Sequence, residues 1–185
     1  EALFAAALLY SDRTPPSVSE LSLPIAAPKP GELLRRLREE LDRAAIPAAL
    51  ARALARVHVD DVRAELEEIV RELYATSSAH RTAIKLVGRC GRDHPELRTL
   101  FYAKGRFAQV DQLARYFDAR IRTGQLRAVS DSAAAARFVI EAIATWAVHI
   151  HWDRAPELFD PAQARDTTID FLVRGLLSQT AFGAL

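Results

Sequence analysis

The sequence predicts an all-α fold, and three observations carry that prediction. Ala, Leu, Arg and Glu dominate the long segments, which is the propensity signature of helices. Only 7 Gly occur in 185 residues and the dipeptides typical of β-turns are scarce, so the chain offers few places for strands to reverse. Apolar residues recur three and four positions apart in segment after segment. With 50% hydrophobic and 26% charged residues the chain can bury one sizeable core, and a single main domain is expected.

The first segment, Glu1 to Tyr10, places Leu3, Phe4, Ala7 and Leu8 on one helical face but is too short to stand alone. From Ser11 to Pro30 five prolines (Pro15, Pro16, Pro24, Pro28 and Pro30) rule out a continuous helix, so residues 11–30 are expected to be an irregular Pro-rich crossing. Helical pattern resumes at Gly31. Leu33, Leu34, Leu37 and Leu41 form its apolar side, and Arg35, Arg36, Arg38, Glu39 and Glu40 form a solvated, paired face. Pro47 ends or kinks that helix near Ile46, and Ala48 to Val57 makes a short one. Asp60 or Asp61 is the candidate N-cap of the next, where Val62, Leu66, Ile69, Val70 and Leu73 repeat at helical spacing. Ile84, Leu86 and Val87 carry a further turn or two before Gly88 and Gly91. Pro95 suits the first turn of a long helix over about Glu96 to Thr123, closed by Gly124. Asp131 or Ser132 caps the stretch Ser132–Trp152, and Asp160-Pro161 opens the last helix, to Leu177.

Ser132–Trp152, SAAAARFVIEAIATWAVHIHW, contains no Gly or Pro and is apolar on nearly every face. A helix of that kind must be covered on more sides than one small domain provides, so part of it is expected to meet a partner. Glu141, Thr145 and His149 interrupt it at i, i+4 and i+8, on one stripe. That stripe faces a cavity, the core or a partner. A carboxylate beside a buried imidazole would raise the histidine pKa.

A net charge of +1 provides no general field for nucleic acid, although the arginines can cluster locally. The single cysteine, Cys90, excludes an intrachain disulfide, reads as an ordinary thiol and fits a cytoplasmic location. Glu141 and His149 break the longest apolar run, so no membrane span is expected. The sequence begins inside a helical pattern and contains no Met, so a segment upstream is expected to be missing. His149, His151 and Asp153 sit at alternate positions that diverge on a helix, and no metal site is expected from them.

EALFAAALL at Glu1–Leu9 resembles the helix that directly follows the DNA-binding helix-turn-helix in TetR-family regulators. HPELRTLF at His94–Phe101, IRTGQL at Ile121–Leu126 and AAAARFVIEAI at Ala133–Ile143 resemble successive landmarks of that family's ligand-binding domain. The C-terminal half looks most like the AefR-like repressors. The resemblance covers about Asp61 to Leu177 plus the first helix, and it lacks the family's three-helix DNA-binding part. It implies a linker helix over 1–10 and a ligand-binding and dimerisation domain over 31–185, in a cytoplasmic transcriptional regulator, expected to be a repressor released by a small organic effector.

In this family the last two long helices pair with those of a second subunit as a four-helix bundle. The resemblance therefore implies a homodimer, expected here on Ile140, Ile143, Ala147 and Ile150 with Phe171 and Gly175. It also implies an effector pocket among the middle helices. Tyr74, Arg81, Tyr102, Arg106, Gln109 and Tyr116 are the polar or amphipathic residues there, with Trp146 and His149 as further candidates. Operator DNA would be held by the missing N-terminal domain. No nucleophile elbow, phosphate-binding loop or paired metal motif is present, so no cofactor and no enzymatic activity are expected. Two other readings stay open: a helical protein-protein interaction module, and a cofactor-free enzyme using Glu141 and His149 as acid and base.

Overall fold

The computed structural model describes residues 5–8, 24–43, 46–91, 93–155 and 158–178. Among them there are helices and no strand; the nearest thing to a sheet is one antiparallel bridge between Leu126 and Leu177. Of the expected linker helix, residues 5–8 are helical; the rest of 1–10, residues 11–23 of the Pro-rich crossing and residues 179–185 lie outside the described residues. Residues 24–30 contain no helix, as five prolines over the crossing require.

We number the helices α1 Glu32–Arg43, α2 Ala48–Leu54, α3 Val62–Ala79, α4 Arg81–Cys90, α5 Pro95–Leu100, α6 Ala108–Arg122, α7 Ser132–Ala147 and α8 Pro161–Leu176. Three aspartates start three of them. Asp61 Oδ1 accepts from Ala64 N at 2.8 Å, Asp131 Oδ1 from Ala133 N and Ala134 N, and Asp160 Oδ1 from Gln163 N at 2.7 Å, with Pro161 in the first turn. Gly124 stops α6 with φ +71°, the left-handed conformation a side chain would strain.

Two expectations need correction. The helix predicted over Glu96–Thr123 is not a continuous α-helix: α5 and α6 are joined by a π-helical segment, Phe101–Phe107. α1 packs across it, close enough at Gly105 that a Cβ there would lie 3.5 Å from Leu41 Cδ2. The apolar stretch also does not run as one helix to Trp152. α7 ends at Ala147, Val148 leaves the helical region at φ −120°, and His149–Trp152 is a single 3-10 turn.

The core sits where α3, α6, α7 and α8 meet, with α2 closing one end. Leu66, Ile69 and Val70 of α3 meet Leu113 and Phe117 of α6, Val139 and Ile143 of α7, and Ile169 and Val173 of α8. These side chains are withdrawn from water, and each contributes on the order of 1.5–3 kcal/mol. A charged pair is buried among them. Arg120 Nε donates to Glu65 Oε1 at 2.8 Å, and its NH2 nitrogen to Glu65 Oε2 at 3.1 Å and to the Ala53 carbonyl at 2.9 Å. Its NH1 nitrogen donates to the carbonyls of Arg56 and Val57 at 3.0 and 3.3 Å. The guanidinium thus binds carbonyls at and just beyond the C-terminal end of α2 while fixing α6 to α3.

Candidate functional site

The π segment, α7 and the turn after α7 bring several of the expected site residues together. A π-helical turn is wider than an α-turn, and such segments often occur at functional sites. Here Arg106 and Phe107 of the segment meet Glu141 and Arg137 of α7, with the Tyr102 ring beside Phe107. The Arg106 guanidinium lies 6.0 Å from the Tyr102 ring centre and pairs with Glu141 of α7. Arg137, one turn earlier on α7, pairs with the same Glu141 and lies over the Phe107 ring at 5.9 Å. Arg98 approaches Tyr102 at 5.9 Å. One carboxylate therefore serves two guanidiniums.

Arg106 is mostly covered: its side chain is 19% exposed, against 43% for Arg137 and 40% for Glu141. Its Nε is buried and has no hydrogen-bond partner among the described residues. Burial, and then the charge of Arg137, lower the Arg106 pKa from its ordinary high value, against the smaller opposing effect of Tyr102, which also hydrogen-bonds to it.

The stripe Glu141, Thr145, His149 is not a buried seam. Thr145 and His149 are exposed, and the Thr145 hydroxyl donates to the carbonyl of Glu141 within the helix, at 2.9 Å. Glu141 is engaged by arginines instead of an imidazole, so the expected rise in the histidine pKa is reversed. Partial burial, followed by the charges of Lys85 and Arg106, lowers the His149 pKa. His151 shifts the same way through partial burial and Arg81. Lys85 lies 5.4 Å from the centre of the Trp152 ring.

The remaining expected pocket residues lie elsewhere. Tyr74 is buried, with Arg165 and Asp166 of α8 as its charged neighbours, and burial raises its pKa. Tyr116 is buried beside Arg120, 5.3 Å from ring centre to guanidinium. Burial and then the Glu65 carboxylate push its pKa up, and its hydroxyl has no hydrogen-bond partner among the described residues. Arg81 is exposed at the start of α4, and Gln109 is half-buried in the first turn of α6. Trp146 faces away from this cluster and stacks edge-to-face on Phe159 at 5.3 Å, in a groove between α7 and α8.

That groove, of about 590 Å³, is lined by Phe138, Ala142 and Trp146 of α7 and by Phe171 and Leu172 of α8, with Leu158 and Phe159 at one end. α7 has two apolar stripes. Ala136, Val139, Ile140, Ile143 and Ala147 are buried in the chain's own core; Phe138, Ala142 and Trp146 form the second stripe, with Phe138 69% exposed. Three residues expected at a partner surface, Ile140, Ile143 and Ala147, thus belong to the inner stripe, and Ile150 is half-buried after it. Phe171, 75% exposed, and Gly175 lie on the outside of α8.

Sequence reasoning missed Glu65, Arg120, Arg137 and Phe138. The signal for the first two was present: Glu65 falls within the stripe Val62, Leu66, Ile69, and Arg120 extends Leu113, Tyr116, Phe117, each a charge on an otherwise apolar face. Among the described residues there is no group of His, Cys, Asp and Glu able to hold a metal ion, and no helix long and apolar enough to cross a membrane.

Comparison with known proteins agrees with this architecture. None of the curated proteins compared with the chain matches it. Residues 64–174, from the first turn of α3 to the last turn of α8, match the family described as AefR-like transcriptional repressor, C-terminal domain. The match spans more than half of the sequence and includes the four core helices, so the chain belongs to this family, with the all-α C-terminal domain of a TetR-type transcriptional regulator.

Proposed function

We propose that this domain senses a small organic effector and joins two subunits of a repressor, whose operator is held by a helix-turn-helix domain upstream of it. The observation that carries the dimer is the outward stripe of α7. Phe138 and Phe171 leave most of their ring area in water on either side of an apolar groove. Two large aromatics in one patch are costly on a free surface and suit the centre of an interface. Gly175 lies on the same outer face of α8, where the chain itself leaves open space. A two-fold axis through this face would set α7 and α8 against their copies as a four-helix bundle.

Sensing would use the cluster on the other side of α7. A ligand seated between the π segment and α7 would bias their relative position, and through α7 the spacing of two subunits. The shift is limited by the difference in the ligand's affinity for the two arrangements.

Light scattering tests the dimer. The chain is expected at twice its monomer mass at micromolar concentration, and Phe138→Asp is expected to give a monomer of unchanged helical content. A monomeric parent chain whose groove instead binds an unrelated protein would favour the interaction-module reading. Fluorescence anisotropy with operator DNA tests the sensing: an effector bound by the domain is expected to weaken DNA binding of the full-length regulator, and unchanged DNA binding would remove the sensing role.

A further inference from the structure

We infer that the effector is an organic anion, a carboxylate on an aromatic or similarly planar apolar body, received where the π segment meets α7 with Arg106 as the group that binds its charge. The inference rests on the sensing reading above and adds to it the chemical class of the ligand.

Charge distribution is the first argument. The chain's 25 Lys and Arg nearly balance its 24 Asp and Glu, yet Arg81 to Val110 contain seven cations against Asp93 and Glu96, a net of +5. The rest of the chain, with 18 cations and 22 acids, is at −4. α4, α5 and the π segment therefore form the positive region of an otherwise acidic molecule, and an anion is attracted to that region first.

The second argument is unfilled binding capacity. A guanidinium presents five donors in a planar fork suited to a carboxylate. Arg106 uses part of that fork on Glu141, which it shares with Arg137, and part on Tyr102, while its Nε is buried with no hydrogen-bond partner among the described residues. A buried donor left open carries a desolvation cost that a ligand carboxylate would recover. Glu141 is 40% exposed on its side chain and can swing into solvent when a second carboxylate arrives.

The surrounding surfaces fix the rest of the ligand. Two guanidiniums, Arg98 and Arg106, lie near the Tyr102 ring, Phe107 lies under Arg137 and is 53% exposed, and Trp152 lies under Lys85 and is 40% exposed. A planar apolar body can stack on such rings while its charge meets the cations. His149, kept neutral near Lys85 and Arg106, offers an imidazole N–H without adding an acid that would repel the ligand. The depth of Arg106 selects a small molecule over nucleic acid. Phosphates of a duplex reach cations spread on an open surface, whereas this one is four-fifths covered.

Calorimetry at fixed ionic strength, with benzoate and cinnamate set against the neutral benzamide and cinnamamide, tests the class. The acids are expected to bind at least about tenfold more tightly than the amides. Arg106→Gln, checked for native helicity by circular dichroism, is expected to erase that preference. Glu141→Gln removes the competing carboxylate and is expected to tighten acid binding several-fold, a gain that a merely structural ion pair would not produce. Amides binding as well as acids, a folded Arg106→Gln that keeps the preference, or duplex DNA displacing cinnamate from the site would each overturn the inference. Operator release separates it from the reading beneath it. Acids that bind through Arg106 but leave operator affinity unchanged would remove sensing and keep the anion site; release by neutral compounds with no acid preference would do the reverse.

Discussion

Arg120 and Arg106 lie on the same helical run between Pro95 and Arg122, and they are built in opposite ways. Arg120 is fully buried, and all three of its nitrogens donate, to both oxygens of Glu65 and to three backbone carbonyls. Arg106 is less buried and less satisfied: it shares one carboxylate with Arg137 and meets Tyr102, but its Nε has no hydrogen-bond partner among the described residues. Burial alone would lower the pKa of both. At Arg120 the bonds to Glu65 reverse that, so its pKa is held above the ordinary value; at Arg106 burial prevails. The same residue type ties elements together where its donors are used up, and keeps a donor free for another group where they are not.

The largest effect expected from breaking this contrast is at Glu65. Glu65→Gln leaves Arg120 charged in the core with one weakened partner, and a loss of about 3–5 kcal/mol is expected in urea unfolding. Removing both charges together, Glu65→Leu with Arg120→Met, should recover much of that loss, because a well-packed apolar pair avoids the desolvation both ions incur. Arg106→Gln is expected to cost less than about 1 kcal/mol, since its partner is partly in solvent and is still held by Arg137. Equal losses at the two arginines would show that Arg106 is also a tie, and the contrast would fail.

Much of the fold was legible in the sequence because its signals are local. Asp61, Asp131 and Asp160-Pro161 start helices through their own side chains and ring, and Gly124 ends one through its own φ. The membership of the family was legible for a similar reason, in the landmarks His94–Phe101, Ile121–Leu126 and Ala133–Ile143, which lie within the matched residues, whereas Glu1–Leu9 lies outside them. What was hidden depends on partners far away in the chain. Glu65 and Arg120 are separated by 55 positions, and only their shared burial shows the pair. The π segment lies where α1 packs on it and on α5, a contact that no short window contains. Of the two stripes on α7, Ile140, Ile143, Ala147 and Phe138, Ala142, Trp146 are both apolar, so hydrophobic period shows that two faces need cover without saying which is inside. The pairing of Glu141 followed the same rule: its spacing to His149 suggested a partner on its own helix, and Arg106 reached it from another.

The smallest expected effect sharpens the comparison from the solvent side. At the Arg106 end, His149 has a lowered pKa through partial burial and then through Lys85 and Arg106, and His151 through partial burial and then Arg81. An unfolded imidazole titrates near 6.5, so between that value and the lower folded value the unfolded chain binds more protons. The stability these histidines contribute is therefore complete above about pH 6.5 and is lost as the pH falls through their folded pKa values. At the Arg120 end the shifted neighbour is Tyr116, which burial and then the Glu65 carboxylate push up, away from neutrality. Thermal melts at a series of pH values should show a midpoint that declines below about pH 6.5, and His149→Gln should flatten part of that decline while leaving the midpoint at pH 8 nearly unchanged. A variant with the parent's full acid slope would mean that His149 does not sense the cations beside it, and that the excess positive charge at the Arg106 end is already neutralised by the protein itself.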